Sequence, residues 1–104
     1  MNKSALTELK SNLFEKHAQE IEKIYLFGSQ VKGGATEESD YDIFILVKND
    51  FDWRFENQII DECYEIDLKY DLVTDVKVMS VRDLSTVRGK QPYVQEAINY
   101  GVAL

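Results

Sequence analysis

The stretch that decides the fold of this chain is FGSQVKGGATEESDYDIFI, residues 27–45. It joins two apolar segments through a glycine-rich turn and places two aspartates, separated by one tyrosine, before the second segment. Alternate side chains of a β-strand lie on the same face, so Asp40 and Asp42 share a face and Tyr41 points to the other. Two carboxylates held this close repel each other unless a cation lies between them or one of them carries a proton. The stretch therefore predicts two adjacent strands with a charged site where the second begins.

Magnesium is the cation that fits such a pair of aspartates. Mg²⁺ prefers oxygen ligands, keeps several waters, and binds through one or two carboxylates together with substrate phosphates. Asp40 taken alone is also compatible with an ordinary polar residue at the beginning of a strand. Asp42 is harder to explain in that way, because the apolar run Ile43–Leu46 follows it and an unpaired charge there is costly. The pair therefore predicts a magnesium site.

The residues upstream of the aspartates suit phosphate groups. Gly28 ends an apolar segment and Ser29 begins a short helical turn, whose first backbone N–H groups and serine hydroxyl can donate to an anion. Lys32 adds a positive charge, and Gly33 and Gly34 let the chain reverse so that the second strand returns beside the first. The alternatives are a helix cap for Ser29 and a plain turn for the two glycines. Combined with the aspartates, the turn indicates phosphoryl or nucleotidyl transfer.

Hydrophobic periodicity predicts helices and strands on both sides of this stretch. The predicted helices cover residues 4–22, 52–66 and 92–101. The predicted strands cover residues 23–28, 40–47 and 69–80, with a polar loop at 35–39 and a turn with a short helix after residue 80. Ser4 and Asp52 are the expected N-caps, and His17 is expected on a solvated helix face without a role. This order predicts an α/β (α+β) protein with a mixed sheet of three or more strands and helices packed against it.

Size and composition limit the functions that are open to the chain. Its 104 residues correspond to one domain, 1–104, and a domain of this size buries a limited fraction of its surface, so a large substrate site is expected to be shared with a partner. The net charge of -7 argues against direct nucleic-acid binding. No apolar run reaches the roughly 20 residues of a membrane span, and no signal peptide is recognised. The single cysteine, Cys63, suits a reducing compartment, so the expected location is the cytoplasm.

The joint pattern of the turn and the aspartates resembles a known family. Gly-Ser at 28–29, Gly33, and SDYD at 39–42 before an apolar strand resemble the minimal nucleotidyltransferases of the DNA polymerase β superfamily. The resemblance spans roughly residues 20–80, and QPYVQEAINYGVAL at 91–104 is similar to the terminal helix of such domains. Either motif alone is a weak signal, whereas the two at this spacing are specific.

The resemblance implies a nucleotidyltransferase-like fold and a third carboxylate on a neighbouring strand, which completes a site for two Mg²⁺ ions. Asp67, Asp71 and Asp75 are the candidates. We expect Asp71, because Leu-Val follows it within the predicted third strand. The implied reaction transfers a nucleoside monophosphate, with AMP the expected one, from ATP or another NTP to a hydroxyl acceptor.

The family pattern also assigns roles to the site residues. Arginines are frequent around its Gly-Ser turn, whereas this chain has Gln30 and Lys32 there, and Lys32 can substitute as a point charge. The implied metal ligands and catalytic residues are Asp40, Asp42 and Asp71. The implied nucleotide-binding residues are Gly28, Ser29, Lys32 and Gly33.

Three functions remain open at this point. The first is an active Mg²⁺-dependent enzyme, with a partner protein as one candidate acceptor. The second is an antitoxin-type module that binds and neutralises a helical HEPN ribonuclease toxin, because standalone minimal nucleotidyltransferases resemble the partners of such toxins. The third is the catalytic half of a small-molecule transferase of the aminoglycoside type, although those enzymes carry an additional helical domain. The oligomeric state stays open, a homo-oligomer included.

Overall fold

The computed structural model describes residues 1–36 and 38–104, and in this part of the chain a four-stranded sheet is covered by helices. The helices are α1 (Lys3–His17), α2 (Ser29–Lys32), α3 (Trp53–Tyr70) and α4 (Pro92–Tyr100). The strands are β1 (Ile21–Phe27), β2 (Tyr41–Val47), β3 (Thr74–Ser80) and β4 (Val102–Ala103). Two 3₁₀ helices, Arg82–Ser85 and Val87–Lys90, connect β3 to α4. The predicted fold class is confirmed. The polar loop predicted at 35–39 includes residue 37, which lies outside the described residues.

The sheet is mixed, with the strand order β3-β2-β1-β4. β1 is antiparallel to β2 and to β4, whereas β2 and β3 are parallel. Parallel neighbours need a crossover connection, which α3 supplies. In this register Asp42 lies opposite Phe27 of β1 and opposite Asp75 of β3. The beginning of β2 is therefore the point where residues from three strands meet on one face of the sheet.

Both faces of the sheet are covered, which explains why β2 is apolar along nearly its whole length. One face packs against α1 and α3 and forms the larger core. The other face carries a smaller cluster with α4, formed by Phe27, Phe44, Leu46, Met79, Val94 and Ala97. All residues of 43–47 are buried, and Asp42 lies at the open end of the α4 face. In the described residues, no helix has the length and hydropathy needed to cross a bilayer.

The first helix is shorter than predicted. α1 ends at His17, and Ile21, predicted as helical, is the first residue of β1, where it pairs with Val47. Its N-cap is Asn2 rather than Ser4, because the Asn2 side chain accepts a hydrogen bond of 3.0 Å from the backbone N–H of Ala5. The apolar residues of β1 continue the helical spacing of α1, so periodicity alone could not locate the boundary.

The second long helix is longer than predicted. Asp52 caps α3 as expected, accepting 3.1 Å hydrogen bonds from the backbone N–H groups of Arg54 and Phe55. The helix continues to Tyr70, four residues beyond the predicted end, so β3 begins only at Thr74. The last helix is confirmed, with proline in its first turn and glycine as its C-cap. β4 was not predicted.

His17 is not on a solvated face. It is 5% exposed, and its Nε2 lies 2.6 Å from Oε2 of Glu62, with its ring edge against Phe55. This contact joins α1 to α3, which explains why a titratable side chain is accommodated there. Cys63 is buried, and burial raises the pKa of its thiol to about 12, so it behaves as a small apolar residue.

Candidate active site

Gly28 and the carboxylate of Asp42 are in direct contact. Gly28 follows β1 with φ of 78°, a conformation that L-residues rarely adopt. A Cβ atom at this position would lie 2.1 Å from Oδ2 of Asp42, so no side chain fits. Asp42 lies opposite Phe27, the residue before this glycine, and its carboxylate therefore lies against the Gly28 backbone. One close approach thus joins the glycine-serine turn to the aspartate pair.

The turn has the predicted helical form. The carbonyl oxygen of Gly28 accepts hydrogen bonds of 3.0 Å from the N–H groups of Val31 and Lys32, which makes Gly28 the N-cap of α2. The first N–H groups of a helix have no partner within it, and here they belong to the residues that follow Gly28. Gly33 and Gly34 have φ of 95° and 82°, so the predicted chain reversal is confirmed.

Gln30, which follows the glycine-serine turn, has a structural role. The side-chain amide of Gln30 donates a 3.3 Å hydrogen bond to the carbonyl oxygen of Ser39. The Ser39 hydroxyl in turn accepts from the backbone N–H of Thr36 at 2.9 Å. These bonds connect α2 to the segment immediately before Asp40, so the turn and the aspartate pair are held together through backbone as well as carboxylate contacts.

The carboxylate on the strand next to Asp42 is Asp75, not Asp71. Asp42 and Asp75 are direct neighbours in the parallel register of β2 and β3, so they lie on the same face of the sheet. Burial is the largest cause that raises the pKa of Asp42, followed by the charges of Asp75, Asp40 and Glu96, while Lys77 lowers it. Asp42 is thus the centre of a group of acidic side chains.

The predicted position of Asp71 in the third strand is wrong. Asp71 is the C-cap of α3, with φ of 53°, and its backbone N–H donates to the carbonyl oxygen of Asp67. It lines a cavity with Tyr41, whose side chain lies on the opposite face of the sheet from Asp42. Asp67 is also engaged elsewhere, since both its carboxylate oxygens accept from the N–H of Thr74 at 3.1 Å. Of the three candidates, only Asp75 is beside the aspartate pair.

Two lysines at this site are each paired with a carboxylate. Lys32 of α2 forms an ion pair with Glu96 of α4, so its ammonium is turned to a protein side chain. The Nζ of Lys77 donates a 2.9 Å hydrogen bond to Oδ1 of Asp75, and this bond raises the pKa of Lys77. The sequence contained a signal for this second pair: polar and apolar residues alternate over 75–78, which is typical of a half-exposed strand.

The donor set suits Mg²⁺, although the carboxylates do not converge on one point. Across 1–36 and 38–104, no three His, Cys, Asp or Glu side chains are arranged to hold a common metal ion. Asp75 is turned towards Lys77, and Asp42 lies against the Gly28 backbone. All the available donors are carboxylate oxygens, which is the chemistry that Mg²⁺ prefers. The chemistry of these donors fits Mg²⁺, and Asp75 would have to leave Lys77 in order to share an ion with Asp42.

A glycine-serine turn in contact with grouped carboxylates defines a site of the nucleotidyltransferase class. Residues 8–98 match the model of the family described as "Polymerase beta, Nucleotidyltransferase". The chain therefore belongs to this family, as a minimal nucleotidyltransferase domain. It is 42% identical over 76 residues to "Putative protein adenylyltransferase MJ0604" of Methanocaldococcus jannaschii, which is 73% of this chain and 71% of that protein.

Two solved structures share the fold. One is the spectinomycin adenyltransferase AAD(9) from Enterococcus faecialis with ATP and spectinomycin, with a TM-score of 0.68 and 18% identity. The match covers 82% of this chain but 36% of that one. The other is a toxin-antitoxin with AMP-PNP, with a TM-score of 0.61 and 23% identity, covering 99% of this chain and 72% of that one. The expected nucleotidyltransferase-like fold is confirmed.

Proposed function

We propose that this protein transfers the AMP group of ATP to a hydroxyl group of a partner protein. The observation that carries the proposal is the contact between the Asp42 carboxylate and the Gly28 backbone, which places phosphate donors beside acidic side chains. The adenylyltransferase relative and the structure that contains AMP-PNP support the choice of an adenine nucleotide. The acceptor oxygen forms a bond to the α-phosphorus, the bond from that phosphorus to the bridging oxygen breaks, and pyrophosphate leaves.

The glycine-serine turn binds the triphosphate in this proposal. The backbone N–H groups that follow Gly28 and the hydroxyl of Ser29 donate to the β- and γ-phosphate oxygens. Gly33 ends α2 with φ of 95°, a conformation that favours glycine, and so maintains the shape of the turn around the nucleotide. Lys32 contacts phosphate after it leaves Glu96. Fixed donors of this kind supply most of the rate, because they need no reorganisation when charge develops.

Asp40, Asp42 and Asp75 are the residues that would hold Mg²⁺, with two ions as the family resemblance implies. When bound, Mg²⁺ neutralises the triphosphate charge and lowers the pKa of the acceptor hydroxyl. Asp75 replaces Asp71 in the role first expected for the third carboxylate. In this proposal the exposed carboxylate of Asp75 accepts the proton of the acceptor hydroxyl.

A helical HEPN-type toxin is the partner protein we propose. The structural neighbour that is a toxin-antitoxin covers nearly the whole of this chain, and the net charge of -7 suits a basic partner. Neutralisation by binding alone is the second candidate function, and it is compatible with the first. We further propose that residues 1–104 form one nucleotidyltransferase domain and that the protein acts in the cytoplasm.

The proposal is tested by labelled transfer and by comparing two aspartates. The purified chain is incubated with α-³²P-ATP, Mg²⁺ and a candidate HEPN-type protein, and label on protein is measured. Asp42→Asn and Asp75→Asn are expected to lower the rate at least 100-fold, on the order of what the loss of a charge-stabilising group costs. Asp71→Asn is the matched control and keeps the rate within about twofold.

Two results would contradict this assignment. Equal loss of transfer in Asp71→Asn and Asp75→Asn would remove the distinction between the two carboxylates. The second result is that the wild-type chain transfers no AMP while the Asp42→Asn variant still neutralises the partner. Binding would then be the only function that remains.

A further inference from the structure

Lys77 is a cation beside the acidic side chains around Asp42, and no step of the proposed reaction uses it. It lies two residues after Asp75 on β3 and therefore on the same face of the sheet, opposite Phe44 of β2. Its Nζ is 2.9 Å from Oδ1 of Asp75, and its charge also acts on Asp42. The ammonium thus occupies the position beside Asp75 from which a cation can neutralise both carboxylates.

This position has a cost for metal binding. A divalent ion that uses both Asp42 and Asp75 has to take an Asp75 oxygen that now accepts from Lys77. A divalent ion held by these carboxylates would also repel the ammonium of Lys77. The side chains of Lys77 and Asp75 are 42% and 48% exposed, so the pair is weak and can open into water. A flexible lysine with a single point charge is suited to such a movement.

We propose that Lys77 is an exchangeable counter-ion of the carboxylate group. It holds Asp75 in the metal-free protein, where Asp40, Asp42 and Asp75 would otherwise repel one another without a cation beside them. It leaves Asp75 when a divalent cation binds, and it thereby sets the affinity of the site for that cation. This inference rests on the metal site of the proposed function, and it adds a residue that positions one of its ligands.

The test is the affinity of the metal-free full chain for Mn²⁺, measured by titration calorimetry without nucleotide. Lys77→Met is expected to bind Mn²⁺ about tenfold more tightly, because competition and repulsion are both removed. Lys77→Arg keeps the charge and stays within about twofold of the wild type. Lys69→Met is the matched control, since Lys69 forms a similar 2.8 Å pair with Glu8 on a different part of the surface. Lys69→Met is expected to leave the affinity unchanged.

If Lys77 has a purely structural role, Lys77→Met changes the melting temperature but does not tighten Mn²⁺ binding. That result would overturn the proposal. An affinity of Lys77→Met within twofold of the wild type also overturns it. In the Asp75→Asn background the gain from Lys77→Met is expected to shrink, because no pair remains to be opened. If Lys77→Met does not fold, Lys77→Gln carries the same expectation. Absence of Mn²⁺ binding in every variant would reject the proposed metal site itself. If Asp42→Asn abolishes Mn²⁺ binding but Lys77→Met leaves the affinity unchanged, only the role of Lys77 as counter-ion is rejected.

Discussion

The variant Gly28→Ala tests the contact on which the site depends. The added Cβ atom would lie 2.1 Å from Oδ2, 3.0 Å from Cγ and 3.4 Å from Cβ of Asp42. A separation of 2.1 Å is far below van der Waals contact, so the carboxylate or the turn has to move. The backbone at this position has φ of 78°, which adds a conformational cost that is independent of the contact.

The expected loss in the free energy of unfolding of Gly28→Ala has two parts, backbone strain and overpacking. The backbone strain contributes about 1–3 kcal/mol, and the overpacking contributes a further 1–3 kcal/mol, roughly. The sum of about 2–6 kcal/mol corresponds to a decrease of roughly 10–30 °C in Tm for a domain of about 100 residues. Gly34→Ala is the matched control, because Gly34 has φ of 82° and open space where the Cβ atom would be. It is expected to show the strain alone, about 1–3 kcal/mol.

Urea unfolding followed by circular dichroism gives the free energies for Gly28→Ala, Asp42→Ala and the double variant. In the double variant the nearest atom that remains is the Cβ of residue 42 at 3.4 Å, an ordinary contact. The double-mutant cycle is therefore expected to return the overpacking cost, about 1–3 kcal/mol, as favourable coupling. Two results would refute the reasoning that the Asp42 carboxylate requires glycine at position 28. One is a loss in the free energy of unfolding for Gly28→Ala that is no larger than the loss for Gly34→Ala. The other is a double-mutant cycle without coupling.

Asp42→Asn is expected to raise Tm at pH 7.5 without divalent cations, because folding raises the pKa of Asp42 and so disfavours its ionised form. The gain should disappear below the ordinary carboxyl pKa of about 3.9, where both states are protonated, and melting curves across pH check this. His17→Ala is expected to cost about 2–4 kcal/mol in urea unfolding, because it removes a buried side chain and leaves Glu62 without its partner. Lys69→Met, which breaks the exposed pair with Glu8, should cost less than about 1 kcal/mol, and equal costs would contradict the structural role of His17.

The segment 67–75 shows why the third carboxylate could not be chosen from sequence. Its residues continue the periodicity of α3 and also resemble the beginning of a strand, so two boundaries fit the pattern. The structure ends the helix with Asp71 in a left-handed conformation, and Asp67 holds the N–H of Thr74 where β3 begins. These are capping interactions between residues several positions apart, and they shift the strand so that Asp75, rather than Asp71, lies beside Asp42.

His17 illustrates a second limit. Spacing along α1 does not show whether a polar residue faces water or a neighbouring helix, because the neighbour is 45 positions away in the sequence. Once α1 and α3 lie side by side, Glu62 supplies the hydrogen bond that makes burial acceptable. The same applies to β4, whose two residues have no pattern of their own and are ordered by pairing with β1.

The features that the sequence determined by itself are local ones. Such features are the glycines at positive φ, an aspartate cap, proline at the start of a helix and an aspartate pair where a strand begins. They depend on the conformation of a few neighbouring residues. The tertiary structure decided which distant groups meet: Asp75 beside Asp42, and Lys32 on Glu96. The physical reason is that register between β2 and β3 follows from where α3 ends, and charges on separate elements interact only after packing has brought them together.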